Sequence, residues 1–241
     1  MSTTAAKILA HLKTVEDERA RRAGEAGLNA RVGALKAYQQ RRFSHTYADL
    51  LQSSRYGAAS RFFLEELYGP GDFTHRDAQF ARVVPALVRL FPSEIVETVT
   101  TLAELHALSE VLDTRMAEQL ASEAIASLDY VRAWQGTGGV SRRQRQIALT
   151  LDIAKRLDGF TRKVLVRNSL RLMRGPARAA GLGELQHFLE AGFDTFRAMN
   201  GAQEFVALVD SRERALASML FSANLDGADD ISLQRAFAVL P

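Results

Sequence analysis

The chain has 241 residues, 47% of them hydrophobic and 24% charged, fractions that exclude a disordered chain and suit one globular domain. It contains no cysteine, so disulfides, thiolate metal sites and cysteine nucleophiles are excluded. The net charge is only +3, but it is unevenly spread: Ser141 to Arg178 holds eleven Lys/Arg against two acids, Asp152 and Asp158. Such asymmetry marks either a binding face or an internal contact between oppositely charged surfaces.

The five prolines and sixteen glycines cluster at a few places. Between them run segments rich in Ala, Leu, Glu, Gln and Arg, all good helix formers, with no alternating strand, hairpin signal or internal repeat. The composition predicts an all-α, multi-helix bundle of about seven to nine helices in a single domain, 1–241. The first segment, Thr4 to Ser53, begins polar and turns amphipathic at Leu28, Val32, Leu35 and Tyr38, with a break at Gly24 and Gly27. Residues 1–26 read as a solvated helix or as a projecting arm that packs on a second subunit, which would make a homodimer. His11, Lys13, Glu16 and Asp17 interrupt the apolar start before it reaches signal-peptide length. No apolar run approaches a transmembrane span. Both readings predict a cytoplasmic protein.

Tyr56 to Tyr68 should form a second helical segment, stopped by Gly69-Pro70-Gly71. Thr74 and Asp77 have capping-box spacing for the next helix, which contains Pro85. Ser93 is positioned to cap a helix through His106 to Met116, with more helix to about Trp134. Gly136-Thr137-Gly138-Gly139 is the clearest loop. Ser141 and Gln144 then suggest a second capping box, opening a helix to about Arg174 that Gly175-Pro176 ends. Helices at about Leu182–Met199 and Ala202–Ala223, separated by Asn200-Gly201, and a short one near Asp230 or Ser232 complete the chain.

The stretch from Arg55-Tyr56 through Phe62-Phe63, Leu67-Tyr68-Gly69-Pro70 and Asp72-Phe73 to Arg76-Asp77, with the later Leu105 to Met116, resembles a family of bacterial helical proteins carrying an RY…FFL…LYGP.DF..RD signature. That resemblance implies a bacterial source and an all-α fold. It carries no activity and no catalytic residues. Physically, Phe62, Phe63, Leu67, Tyr68 and Phe73 should form an aromatic corner at a tight turn. Arg76, at a helix start, needs a carboxylate, with Asp72 or Glu65 as candidates. The corner is either a structural lock or a ligand pocket lined by Tyr68, Asp72, Arg76 and Asp77.

Four constellations bear on chemistry. Glu184 and His187 form one E-x-x-H on a helix, but a di-iron bundle needs two such motifs and two further glutamates. The pair therefore reads as surface residues, and no metal or cofactor is expected. His106, one turn before Glu110, reads as a hydrogen-bonded packing histidine. The loop leading into Gly138, Gly139, Ser141, Arg142 and Arg143 could hold an anion at a helix N-terminus, although it lacks the Walker ending. The most specific feature is a basic stripe. Arg156, Lys163, Arg167, Arg171 and Arg174 fall within roughly 80° of one another on an ideal helix. Ile147, Leu151, Ala154, Leu165 and Leu172 fall on the other side, as a face for the core. The stripe either pairs with acidic helices of the same chain or binds an anionic partner: acidic protein, nucleic acid or anionic lipid surface. The sequence therefore points to a protein acting by binding, as adaptor, regulator or ligand carrier. The alternative is a helical-bundle enzyme, perhaps metal-dependent, with a pocket near the Tyr68–Asp77 turn.

Overall fold

The computed structural model describes residues 2–67, 73–226 and 231–241. Among them are twelve α-helices, one π-helical turn and no strand. The helices are α1 (Thr3–Gly24), α2 (Leu28–Thr46), α3 (Ala48–Gln52), α4 (Gly57–Phe62), α5 (Thr74–Leu90), α6 (Ser93–Glu118), α7 (Ser127–Gly136), α8 (Val140–Thr161), α9 (Val164–Ala179), α10 (Gly183–Ala198), α11 (Gln203–Ser222) and α12 (Ile231–Phe237). The π turn, Phe63–Leu67, continues α4. The count exceeds seven to nine because several segments that read as continuous helix are broken.

The clearest break separates α8 from α9. Asp158, buried near the end of α8, accepts bonds from the Ala202 amide (2.9 Å) and Gln203 Nε2 (3.0 Å) at the start of α11. It also takes Arg162 Nη2 at 2.8 Å. Lys163 then adopts an extended conformation and the chain turns into α9. Nor does Gly175-Pro176 end the basic segment, because α9 runs on to Ala179. The stop is Gly181, at φ 69°. Its amide donates to the Arg178 carbonyl (3.1 Å) and the Leu182 amide to the Ala177 carbonyl (2.8 Å). These two bonds make a Schellman ending.

Neither expected capping box forms. Phe73 precedes α5 as its cap, Gly139 precedes α8, and neither supplies a capping side chain. Ser93 is the first residue of α6 and not its cap. The Asn200-Gly201 turn does stand where expected, with both residues at positive φ (51° and 107°).

The architecture is a single helical domain arranged around α6, which packs against α1, α2, α5, α7 and α8. Its 26 residues span about 39 Å. One core cluster joins α2, α6, α7, α11 and α12 around Leu35, Met116, Tyr130 and Leu220. A second joins α2, α3, α4, α8, α10 and α11 around Phe43, Tyr47, Phe196 and Phe205. A third, with Ile8, Leu12, Val84 and Ala103, seats α1 on α5 and α6. The first helix is thus folded onto the body along its length, burying Ile8, Leu12, Val15 and Arg22, where a projecting arm or a solvated helix was expected. Among the described residues no helix is long and apolar enough to cross a membrane.

Candidate functional site

A cavity along α6 has a volume of about 240 Å³. That exceeds the ~150 Å³ known to admit benzene and lies just below the ~300 Å³ where drug-sized pockets begin. Helix α6 runs along it from Val99 to Asp113, a length of about 21 Å at the helical rise. The lining changes character over that distance. Beside Val99, Leu102 and Leu105 stand Phe80 and Leu87 of α5 and Phe188 of α10, all apolar. Beside Ser109, Glu110 and Asp113 stand polar and charged groups of α2, α7, α8 and α11. Leu189 lines the cavity and is also exposed, so the space reaches the surface beside α10.

The charged end is built from three buried networks. Glu110 accepts from Arg22 Nη2 and from Lys36 Nζ (2.8 Å), and Arg22 Nε donates to Thr114 Oγ1 at 2.9 Å. Burial opposes ionisation of Glu110, but Lys36 and Arg22 win and hold its carboxyl at about 2. One turn on, Asp113 accepts from Gln39 Nε2 at 3.1 Å. Its carboxyl is pushed up, because burial dominates and the nearby Lys36 and Arg143 only partly offset it. Glu213 of α11 accepts from Arg42 (2.6 Å) and from the Tyr47 hydroxyl (2.9 Å).

Tyr130 and Trp134, one turn apart on α7, form the remaining wall. Tyr130 stacks on Tyr38 with centroids 4.6 Å apart, and the Arg143 guanidinium lies 4.0 Å from the Trp134 ring centre. Tyr130 is 0% exposed and Trp134 5%, yet the Tyr130 hydroxyl and the Trp134 Nε1 have no hydrogen-bond partner among the described residues. Burial pushes the Tyr130 hydroxyl up and keeps it protonated as a donor. Two unmet donors on one cavity wall are unusual, since buried polar groups are nearly always paired.

The structure brings Arg76 and Asp77 to this same cavity. Arg76 sits between the Phe73 and Phe188 rings, 4.1 and 4.3 Å from their centres. Its carboxylate partner is Glu66 (3.1 Å), where Asp72 or Glu65 was expected. Asp77 takes Arg19 (2.6 Å) and His106 Nε2 (2.9 Å). Burial opposes its ionisation, but His106 and Arg19 hold it below the usual carboxylate range. His106 is thus a hydrogen-bonded histidine whose partner is Asp77, not Glu110. Tyr68 and Asp72 lie outside the described residues. Of the aromatic corner, Phe62 packs edge-on against Phe63 and stacks on Phe188.

The other sequence candidates are dispersed. Gly138 and Gly139 have φ of 90° and 129° and form the turn before α8, where Ser141 is exposed and Arg142 half-buried. Arg143, expected to flank that loop, turns into the core, donating to Gln146 Oε1 and Met116 Sδ at 2.9 Å each. Glu184 meets His75 Nδ1 at 2.9 Å, while His187 is exposed. Among the described residues no three His, Asp or Glu side chains converge in a way that could hold a metal ion.

The basic stripe is divided between two helices and the turn joining them. Arg156 pairs with Asp152 (2.9 Å) and Glu97 (3.3 Å), Lys163 with Glu94 (2.5 Å), and Arg174 with Glu190 (2.7 Å). These contacts match pairing with acids of the same chain. Arg167 and Arg171 make no ion pair among the described residues. Burial, and then the neighbouring Arg171 and Arg197, depress Arg167. Ile147, Leu151 and Ala154 do face the interior, but Leu165 and Leu172 are 80% and 79% exposed. They face solvent where a core side was expected, because the turn at Lys163 takes α9 off the line of α8.

A family model described as Domain of unknown function (DUF8198) matches residues 18–227. The chain belongs to that family. Every DUF8198 position of the cavity's charged end, from Lys36 to Glu213, falls inside the matched stretch, whereas Leu12 at the apolar end lies before it. No curated protein and no solved structure matches the chain.

Residues at the charged end were missed by sequence reasoning, apart from Glu110 and Arg143, which were read in other roles. A usable signal existed. Glu110 and Asp113 stand three apart in a helix whose neighbours Ala107, Leu112 and Met116 are core residues. Lys36, Gln39 and Arg42 repeat at the same interval beside Leu35 and Tyr38. Charged groups that recur on an apolar face require partners inside the fold.

Proposed function

We propose that the protein acts by binding, as a carrier of a small amphiphile with an apolar body and an oxygen-bearing end. The apolar body lies among Phe80, Leu87, Leu102 and Phe188. The oxygen end accepts from Tyr130 and Trp134. The observation that carries this reading is the pair of buried donors on the cavity wall that have no acceptor among the described residues. An oxygen acceptor removes a penalty of about 1–3 kcal/mol for each unmet group. Charge supports the same polarity. Among the lining residues of that end Lys36, Arg42 and Arg143 stand against Glu110, Asp113 and Glu213, and burial pushes the Asp113 carboxyl up, away from its charged form, which suits a carboxylate and opposes an amine.

Matched eight-carbon probes test this. Octanoate should raise the melting temperature saturably, 1-octanol less, and octylamine not at all. At a hundredfold excess over the dissociation constant the stabilisation should be about 2.7 kcal/mol. Equal shifts with octanoate and octylamine, or none with either, would remove the proposal.

A second reading, an enzyme using the same cavity, draws on Asp113, whose buried carboxyl holds its proton more tightly than usual and could act as a general acid. Asp113→Asn separates the two. A carrier keeps its octanoate-induced shift in this variant, whereas an enzyme loses turnover of any substrate that wild type converts.

A further inference from the structure

The surface of α9 is independent of the cavity. Its sixteen residues include four arginines, Arg167, Arg171, Arg174 and Arg178, and no acid. At 100° per residue the helix has three sides. Val166, Leu170 and Ala177 lie within about 40° of one another and face the body, where α9 packs on α10 and α8. Gln186 of α10 fixes this seat by donating to the Leu170 carbonyl at 2.7 Å. Leu165 and Leu172, about 20° apart, form a second side that none of the described residues covers, and Val164 (71% exposed) and Met173 extend the exposed apolar surface at either edge. The arginines form the third side.

Exposed leucines at this density cost solubility unless something covers them. The alternatives differ in what they require. A nucleic acid would use the arginines and leave the leucines in water. A second copy meeting α9 through a two-fold axis would bring two acid-free arginine rows together. An anionic bilayer uses both sides at once: leucines enter the headgroup–acyl boundary and arginines extend along the surface to phosphates. We infer that α9 is a docking helix for anionic lipid surfaces, with Leu165 and Leu172 as the inserted residues and Arg171 and Arg178 as the phosphate contacts.

Flotation of the full-length protein with vesicles tests the inference. Vesicles of phosphatidylcholine alone are compared with vesicles containing 30% phosphatidylglycerol (about a third anionic, near the density of charge that draws basic segments). Wild type should float with the anionic vesicles and stay behind with the neutral ones. Leu165→Asp/Leu172→Asp should weaken this more than tenfold. Arg171→Gln/Arg178→Gln should weaken it about thirtyfold, at roughly 1 kcal/mol for each arginine. All four side chains are exposed, so both variants should melt with wild type. Four results would overturn the docking role: no flotation of wild type, equal flotation on neutral vesicles, a solution dimer that the aspartates disperse, or duplex-DNA binding that survives them. The cavity plays no part in this assay, so failure here leaves the carrier reading standing.

Discussion

Replacing Glu110 with glutamine takes one negative charge from between Arg22 and Lys36 while keeping the shape of the side chain. Arg22 is only 4% exposed and its guanidinium would be left in the interior without a counter-charge. The structure gives the magnitude in two ways. The Glu110 carboxyl is lowered from 4.5 to about 2, and at about 1.36 kcal/mol per pH unit this corresponds to about 3 kcal/mol. Removing one partner of a buried ion pair costs about 3–5 kcal/mol by general experience. The sign follows from the direction of the shift. A depressed carboxyl stabilises the folded state above its unfolded value, near 4.5, and the stabilisation is lost as pH falls towards 2. Urea unfolding followed by far-ultraviolet circular dichroism, at pH 7 and at steps down to 3, measures both effects. Glu110→Gln should lose about 3 kcal/mol at pH 7, and the gap to wild type should narrow steadily as the pH falls below 4.5 towards 2. A loss below ~1 kcal/mol at pH 7, the range of a surface pair, or a gap that does not change with pH, would refute the reasoning.

Three further perturbations follow from local geometry. Tyr130→Phe removes a buried hydroxyl that has no partner among the described residues, so the ligand-free protein should melt no lower than wild type and up to a few degrees higher. A clear drop in the melting curve would show that the hydroxyl is satisfied within the fold. Gly57→Ala places a methyl 2.8 Å from the Leu51 carbonyl oxygen, and chemical denaturation should show a loss of about 1–3 kcal/mol despite the better helix propensity. Asp158→Ala strips the start of α11 of its acceptor and should cost about 1–2 kcal/mol, as helix-cap losses do, with faster proteolysis near residues 199–203.

The helices were largely legible because apolar spacing and glycine punctuation are local properties. Gly24 and Gly27, the Asn200-Gly201 turn and the last two long helices stand where the pattern places them. Interruptions set by distant partners were not legible. Asp158 ends α8 through contacts with Ala202 and Gln203, more than forty positions away, and no breaker at Thr161–Lys163 announces it. The same limit applied to α9. Periodicity shows that Leu165 and Leu172 share a side with other apolar residues, but a helical pattern cannot say which part of an apolar arc a neighbour covers. Arg143 was read as a surface cation because basic residues surround it, yet the Trp134 face and Met116 hold it inside. At the candidate site Arg76 and Asp77 were visible through their position at a helix start, but the cavity was not. Its charged end joins α2, α6, α7, α8 and α11, and only the tertiary fold makes those residues neighbours.

The central claim, that an amphiphile's oxygen end sits against Tyr130 and Trp134, has a built-in reporter, because Trp134 is the chain's single tryptophan. Octanoate titrated into wild type and Tyr130→Phe, followed by tryptophan emission, tests it most directly. The account predicts a saturable change in wild type and a dissociation constant roughly tenfold weaker in the variant, the equivalent of one hydrogen bond of about 1.4 kcal/mol. Unchanged emission in wild type, or equal affinity in the two proteins, would contradict it.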